Sequence, residues 1–401
     1  MLQRVTRRIN EVIRFIGTPN FPRLPLLLTP GTVQEFLAEG PVAVPIIGPD
    51  GASIWFNCSP SLGIFDPSTR TIRYVPTASG SMQDVVLGPD GNVWYGSIGT
   101  FTSSGPAAGS GVGNATPAGV TQFFGTVGWA SGLAAGADRV WFTQQQGATG
   151  GGWVSTIDYT LHTFAAGLTT ADILAAPDNS AWFGAFGPKL YHVTPDGQVT
   201  EYTTNAHAIT GSLAFDGAGN LWYGTDFVIG FIAADGAQHE FDIGGNGAFS
   251  IIFGTQVWFA SSFSSQIGSI NYDGSGLQMY NISGLPAGVI FGSDGNPWFT
   301  EFTNRIGTIN GNAAVEYATL GAQPYPPILG ADGNVWFSDN GDGSIITPDY
   351  VGRVTPAGGV AEFGTASLPN GLLAGSDGSW IYFGENAPKF GRVFVGADLV
   401  K

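Results

Sequence analysis

The chain has 401 residues, with 62 Gly and 25 Pro but only 11 % charged residues. Glycine without a Gly-X-Y period excludes collagen. The 11 Trp, 12 Tyr and 28 Phe exclude a disordered chain, and the Gly and Pro load excludes a helical fold, since Gly costs roughly 1 kcal/mol and Pro about 3 per interior helix position. The net charge of −16 is uneven: Arg4, Arg7, Arg8, Arg14 and Arg23 supply five of the 14 bases, so the remaining body is strongly acidic and repels nucleic acid.

In chain order, residues 2–16 read as a helix. Leu2, Val5, Ile9, Val12, Ile13 and Ile16 form an apolar stripe at three- to four-residue spacing, with Arg4, Arg7, Arg8, Glu11 and Arg14 off it. Gly17 and Pro19 stop the helix, and a Pro-stiffened connector runs to Gly31. Residues 1–31 are expected to dock to other proteins of a larger assembly, with the stripe and Arg4, Arg7 and Arg8 making the contact. The alternatives are a helix folded back on the body or lying on a membrane surface. No run approaches the 18 apolar residues of a transmembrane helix, and the start lacks the apolar block of a secretory signal.

From residue 32 the pattern changes to short strands. Thr32 to Phe36 reads as a strand with no partner before it. A unit then repeats: an apolar run, a Pro-Asp-Gly-type turn, Trp followed by Phe or Tyr, a third apolar run, a second turn, and a strand ending in an aromatic. The Trp positions are 55, 94, 141, 182, 222, 258, 298 and 336, with an altered version over Trp380 to Phe383. A period near 40 containing four strands predicts an all-β, single-ring β-propeller over residues 32–401. Nine blades are expected, closed by the N-terminal strand, with eight as the alternative.

The turns Asp90-Gly91, Asp216-Gly217, Asp294-Gly295, Asp332-Gly333 and Asp377-Gly378 are expected to place Gly at positive φ, and each Trp to wedge between blades. Cys58, the sole cysteine, is expected to be a half-buried small residue and not a nucleophile. Three long stretches read as loops between second and third strands, and therefore on one face: Gly99 to Gly119, Gln144 to Gly152, and Ser338 to Asp349. A face of loops on a rigid ring is where a partner or ligand binds.

Two segments carry a family resemblance. They run from Gly292 to Ile309, including Trp298-Phe-Thr-Glu301, and from Val193 to Tyr202. They resemble the repeat of the streptogramin lyase (virginiamycin B lyase) family, and the resemblance covers most of residues 41–396. It implies a seven-bladed ring that uses Mg²⁺, two His from adjacent blades and a Glu after a Trp-Phe strand. These groups would open the antibiotic's ester linkage by elimination. Ala206-His207-Ala-Ile-Thr210 matches the first His motif, which makes His207 the sole catalytic candidate. The second motif is replaced by Asn246 to Ser250, and after Trp258-Phe259 the chain continues Ala260-Ser261-Ser262 without a Glu. His162, His192 and His239 fall on third or fourth strands, away from the axis.

Asp339, Asp342 and Asp349 are a weak candidate site for Ca²⁺ or Mg²⁺, and their spacing does not fit an EF-hand. Glu301 is expected to be structural. No cofactor is otherwise expected. The expected function is a non-enzymatic structural or recognition propeller, a virion (phage minor tail) protein. Its N-terminal segment would attach to the particle, and its loop face would meet a partner, a host surface or a glycan. The alternatives are a metal-dependent lyase- or lactonase-like enzyme and a sugar-binding propeller.

Overall fold

The structure, a computed structural model, describes residues 28–78, 81–99, 109–126, 128–146, 151–164, 170–185, 187–205, 209–261, 263–341 and 348–396. The expected helix at 2–16, His207 and Asp342 lie outside the described residues.

The described residues form nine antiparallel sheets, each the length of one repeat, in the order 46–76, 82–125, 129–164, 170–203, 209–242, 249–281, 286–318, 323–365 and 369–394. These are blades 1 to 9, so the nine-bladed count holds. Successive strands pair in order within each sheet, and the first strands of neighbouring blades contact one another around the centre. Blade 8 breaks its first strand into Gln323–Pro324 and Ile328–Leu329, because Pro326 and Pro327 have no amide to give the ladder. Among the described residues, no helix is long and apolar enough to cross a membrane.

The core is not one mass but nine, each trapped between two neighbouring blades. In blades 1 to 8 the repeat's Trp, on the second strand, joins the cluster shared with the next blade: Trp55 meets Met82 and Val85, and Trp336 meets Ile381 and Phe383. In blade 9 the same register position is Tyr382, and Trp380 packs beside it against blade 1. Burying roughly 200 Å² per indole contributes on the order of 5 kcal/mol of transfer free energy. Turn geometry contributes well under that, so the wedged rings hold blade to blade.

Closure uses both ends of the ring. Val33–Leu37 pairs with Lys389–Phe394 as the fourth strand of blade 9. The Arg392 guanidinium, 2 % exposed, lies 3.8 Å from the Trp380 ring centre and donates from Nε and Nη2 to Gln34 Oε1 at 2.9 and 2.8 Å. Ser376 Oγ donates to Gly51 O and the Val42 amide to Glu385 O, which ties blade 9 to blade 1.

Three local expectations are corrected. Much of the stretch from Gly99 to Gly119 is not loop: Ser110–Ala115 is the buried third strand of blade 2. Its small residues make room for rings, since a methyl on Gly113 would stand 2.3 Å from the Tyr95 ring and one on Gly111 2.6 Å from the Phe123 ring. Likewise Val140–Gln146, Gly151–Ile157, Val335–Asn340 and Asp349–Val354 are strands, which shortens the other two loops. Gly91, Gly295, Gly333 and Gly378 take positive φ as expected, but in blade 5 the left-handed residue is Gly219 (φ 84°), not Gly217. Cys58 is fully buried, its Sγ accepting the Gly40 amide at 3.1 Å, and burial pushes its thiol pKa up.

Antiparallel pairing fixes two faces. Second-to-third and fourth-to-first connections share one, here the loop face; first-to-second and third-to-fourth turns share the other, the turn face.

Candidate functional site

The second strand of each blade runs toward the loop face, where one position lies three residues beyond the repeat's aromatic. That position is buried in every blade whose side chain there is described: Cys58, Ser97, Gln144, Thr225, Ser261, Glu301, Asp339 and Glu385. In blades 7, 8 and 9, three neighbours, it is a carboxylic acid with no exposure to solvent. An ionised carboxylate left dry and unpaired is costly, so its surroundings must supply donors or it must keep its proton.

The surroundings supply few donors. Glu301 Oε2 accepts from Thr303 Oγ1 at 3.3 Å, and Oε1 has no partner. Asp339 Oδ1 accepts the Gln323 amide at 3.0 Å while Oδ2 has none, and both Glu385 carboxyl oxygens are unpartnered. Each acid instead faces a second carboxyl on its blade's fourth strand: Glu316, Glu362 and Glu35 respectively. Those fourth-strand acids grip the preceding blade connection, Glu316 through the Ser283 amide at 2.8 Å and Glu35 through the Ala366 amide at 2.7 Å, and Glu35 also pairs with Lys389 Nζ of its own blade at 2.7 Å. Leu320 N donates to Glu362 in the same way.

Two facing carboxyls are acceptor against acceptor unless one holds a proton. Burial first, and the Glu316 charge second, push Glu301 up to about 7. Burial also raises Asp339 and Glu385, with Glu362 and Glu35 adding to the shift. The arrangement is three proton-holding acid pairs under the loop face. A carboxyl near neutrality suits acid–base catalysis, but these three touch neither solvent nor the channel, so the pairs hold the blade connections in place.

The residues singled out from sequence fare differently. In blade 6, where a second His would stand, Gly247 sits at φ 71°, a conformation a His would enter only with strain, and its amide donates to Asp226 O. Ala248 is buried in the cluster between blades 5 and 6. The position of the expected Glu is Ser261, whose hydroxyl donates to Asn246 O and locks the adjoining segment. Asp349 accepts the Gly341 amide at 2.9 Å, which caps the shortened loop, while Asp339 is turned into the acid pair. His162, His192 and His239 lie on third or fourth strands, as expected. Among the described residues, no group of three or more His, Cys, Asp or Glu is placed to hold a metal ion, and Gly247 and Ser261 do not supply the second His and the Glu that the resemblance implies. Sequence reasoning did not group Glu301, Asp339 and Glu385. The signal was an acid three residues after Trp298, Trp336 and Tyr382, and Tyr in place of Trp hid the third.

A sequence model of the virginiamycin B lyase family matches residues 128–393. No curated protein matches the chain. Among solved structures, dihydro-heme d1 dehydrogenase NirN in complex with DHE is 12 % identical with a TM-score of 0.56, over 91 % of this chain and 79 % of that one. The Dos1 propeller is 10 % identical with a TM-score of 0.58, over 93 % and 96 %. At these identities the likeness is one of fold alone.

Proposed function

The chain belongs to the virginiamycin B lyase family, and we propose that it uses the family's ring without the family's chemistry, as a structural and recognition module of a larger assembly. The observation that carries this reading is blade 6. Gly247 at φ 71° and a loop-locked Ser261 fill the positions where the resemblance implies a His and a Glu. The charge division between a basic N-terminal segment and an acidic ring supports two working parts, one docking to the assembly and one presenting the loop face to a partner. The assembly proposed is a virion, with the chain as a minor tail protein.

One observation favours the lyase- or lactonase-like alternative: Glu301, held near neutrality in a Trp-Phe-Thr-Glu segment one blade beyond the expected place. Its complete burial opposes that role. Incubation of the purified protein with a streptogramin B and Mg²⁺ is expected to leave the ring ester intact. Linearisation that is lost in His207→Ala would overturn the reading. Deletion of residues 1–31 is expected to abolish incorporation into the native particle, and normal incorporation would remove the docking role.

A further inference from the structure

On the turn face, the repeat's Trp normally finds its hydrogen-bond acceptor in the Asp of the preceding turn. Trp94 donates to Asp90 at 3.0 Å, Trp298 to Asp294 at 3.1 Å and Trp336 to Asp332 at 3.0 Å. In these three blades a glycine ends the first strand beside the indole, whereas in blade 5 the residue there is Asp216, which itself accepts from Trp222 at 2.9 Å. A methyl on Gly88, Gly292 or Gly330 would stand 2.4, 2.5 or 2.6 Å from the indole Cδ1. In blade 4 that position is Ala176, Asp178 does not accept from Trp182, and the indole stacks on His192 at 4.2 Å and tilts against Tyr202 at 5.4 Å.

Two hydrogen-bonding groups are thereby left open. Trp182 is 7 % exposed, and no acceptor reaches its Nε1. Asp178 spends Oδ1 on the Ser180 amide and hydroxyl at 3.0 and 2.6 Å and leaves Oδ2 without a donor. Both residues line a cavity of about 500 Å³ between blades 4 and 5, walled further by His192, Tyr202, Phe215 and Ile232. Its size falls within the range of small-molecule sites. Trp258 also lacks an acceptor, but the cavity beside it, about 370 Å³, has no ionisable lining residue.

We propose that the cavity between blades 4 and 5 binds a neutral pyranose sugar. The ligand must accept from an indole N–H and donate to a carboxylate, which one hydroxyl-bearing rim does. It must also lay an apolar face on aromatic rings, as the C–H face of a pyranose does. No Lys or Arg lines the cavity, so a phosphate or acidic sugar has no counter-charge. Burial lowers the His192 pKa, so that ring is uncharged at neutral pH and supplies no positive charge either. A cationic amine would satisfy Asp178 and the rings but leave the indole N–H unpaired. The site lies on the face opposite the proposed partner surface and does not depend on the assembly role.

Calorimetric titration of the full chain with methyl glycosides of glucose, galactose, mannose and N-acetylglucosamine, and with tetramethylammonium, tests the site. At least one glycoside is expected to bind saturably in the millimolar range. Trp182→Phe, which keeps a ring and removes the N–H, is expected to weaken it by about three- to tenfold. Ala176→Gly is expected to act in the same direction by letting the indole return to Asp178, and it introduces no cavity that endangers folding. Absence of saturation by every glycoside, equal affinity in both variants and wild type, or saturation by tetramethylammonium alone would each overturn the proposal.

Discussion

Blades 2 and 4 share a frame and use it differently. Blade 2 reads Gly88-Pro-Asp90-Gly-Asn-Val-Trp94, and blade 4 reads Ala176-Pro-Asp178-Asn-Ser-Ala-Trp182. In blade 2 the carboxylate of Asp90 gathers Trp94 Nε1, the Asn92 amide and the Tyr159 hydroxyl of blade 3. In blade 4 the turn faces backwards. Asn179, at φ 67°, accepts the Asp138 amide at 3.1 Å through its side chain and Trp141 Nε1 at 3.0 Å through its carbonyl. The same turn thus serves its own blade in one case and the preceding blade in the other. The two turns differ at Gly88 and Ala176, Gly91 and Asn179, and Asn92 and Ser180, so a repeat acquires a distinct surface without losing the ring.

That contrast can be broken at several strengths. Trp94→Ala is expected to cost about 3–5 kcal/mol in denaturant unfolding, and Trp182→Ala clearly less because its site already borders a cavity; equal costs would erase the distinction. At the loop-face end of the same strands, Ser97 in blade 2 corresponds to Glu301 in blade 7. The native Glu301 carboxyl keeps its proton to about pH 7, whereas the unfolded chain releases it near its ordinary value of 4.5. Stability is therefore present below about pH 4.5 and is lost as pH rises towards 7. Glu301→Gln should remove on the order of 3 kcal/mol of that pH dependence, read from unfolding curves at both ends of the window.

Gly88→Ala, which puts blade 4's methyl into blade 2, should cost about 1–3 kcal/mol and speed hydrogen exchange at Trp94 Nε1. An unaltered exchange rate would show that the glycine does not gate the contact. Asp90→Ala should cost about 1–2 kcal/mol, and Asp178→Ala less, since Asp178 serves only Ser180.

The ring was legible because its signal is periodic. Trp spacing, the Asp-Gly turns and an unpaired strand at Thr32 to Phe36 together required closure, and Val33–Leu37 supplies it. Loop limits were less legible, since Ser110–Ala115 has the composition of a loop and the burial of a core strand. Only its fit beneath Tyr95 and Phe123 distinguishes the two. The acid pairs were hidden for a different reason. Glu301 and Glu316 are diagonal neighbours across the third strand, and sequence separation says nothing about that placement until Glu301 is seen to pair with Arg305 and Gly307 with Glu316. The significance of Ala176 was invisible in one dimension, because Gly-to-Ala reads as neutral until the indole it displaces is in place.

The closing strand also has a history in time. Gln34 and its partner Arg392 are separated by 358 positions. At a synthesis rate of roughly 5–20 residues per second, the strand leaves the ribosome about 20–70 s before the strand that covers it. Through that interval Val33–Leu37 is an unpaired edge, and the nascent chain is an open arc whose two terminal blades are exposed. Lys389–Phe394 is therefore the strand that converts the arc into a ring. A chain truncated before residue 389 should remain an adhesive open arc, whereas one that extends through residue 394 and is released should close into the ring.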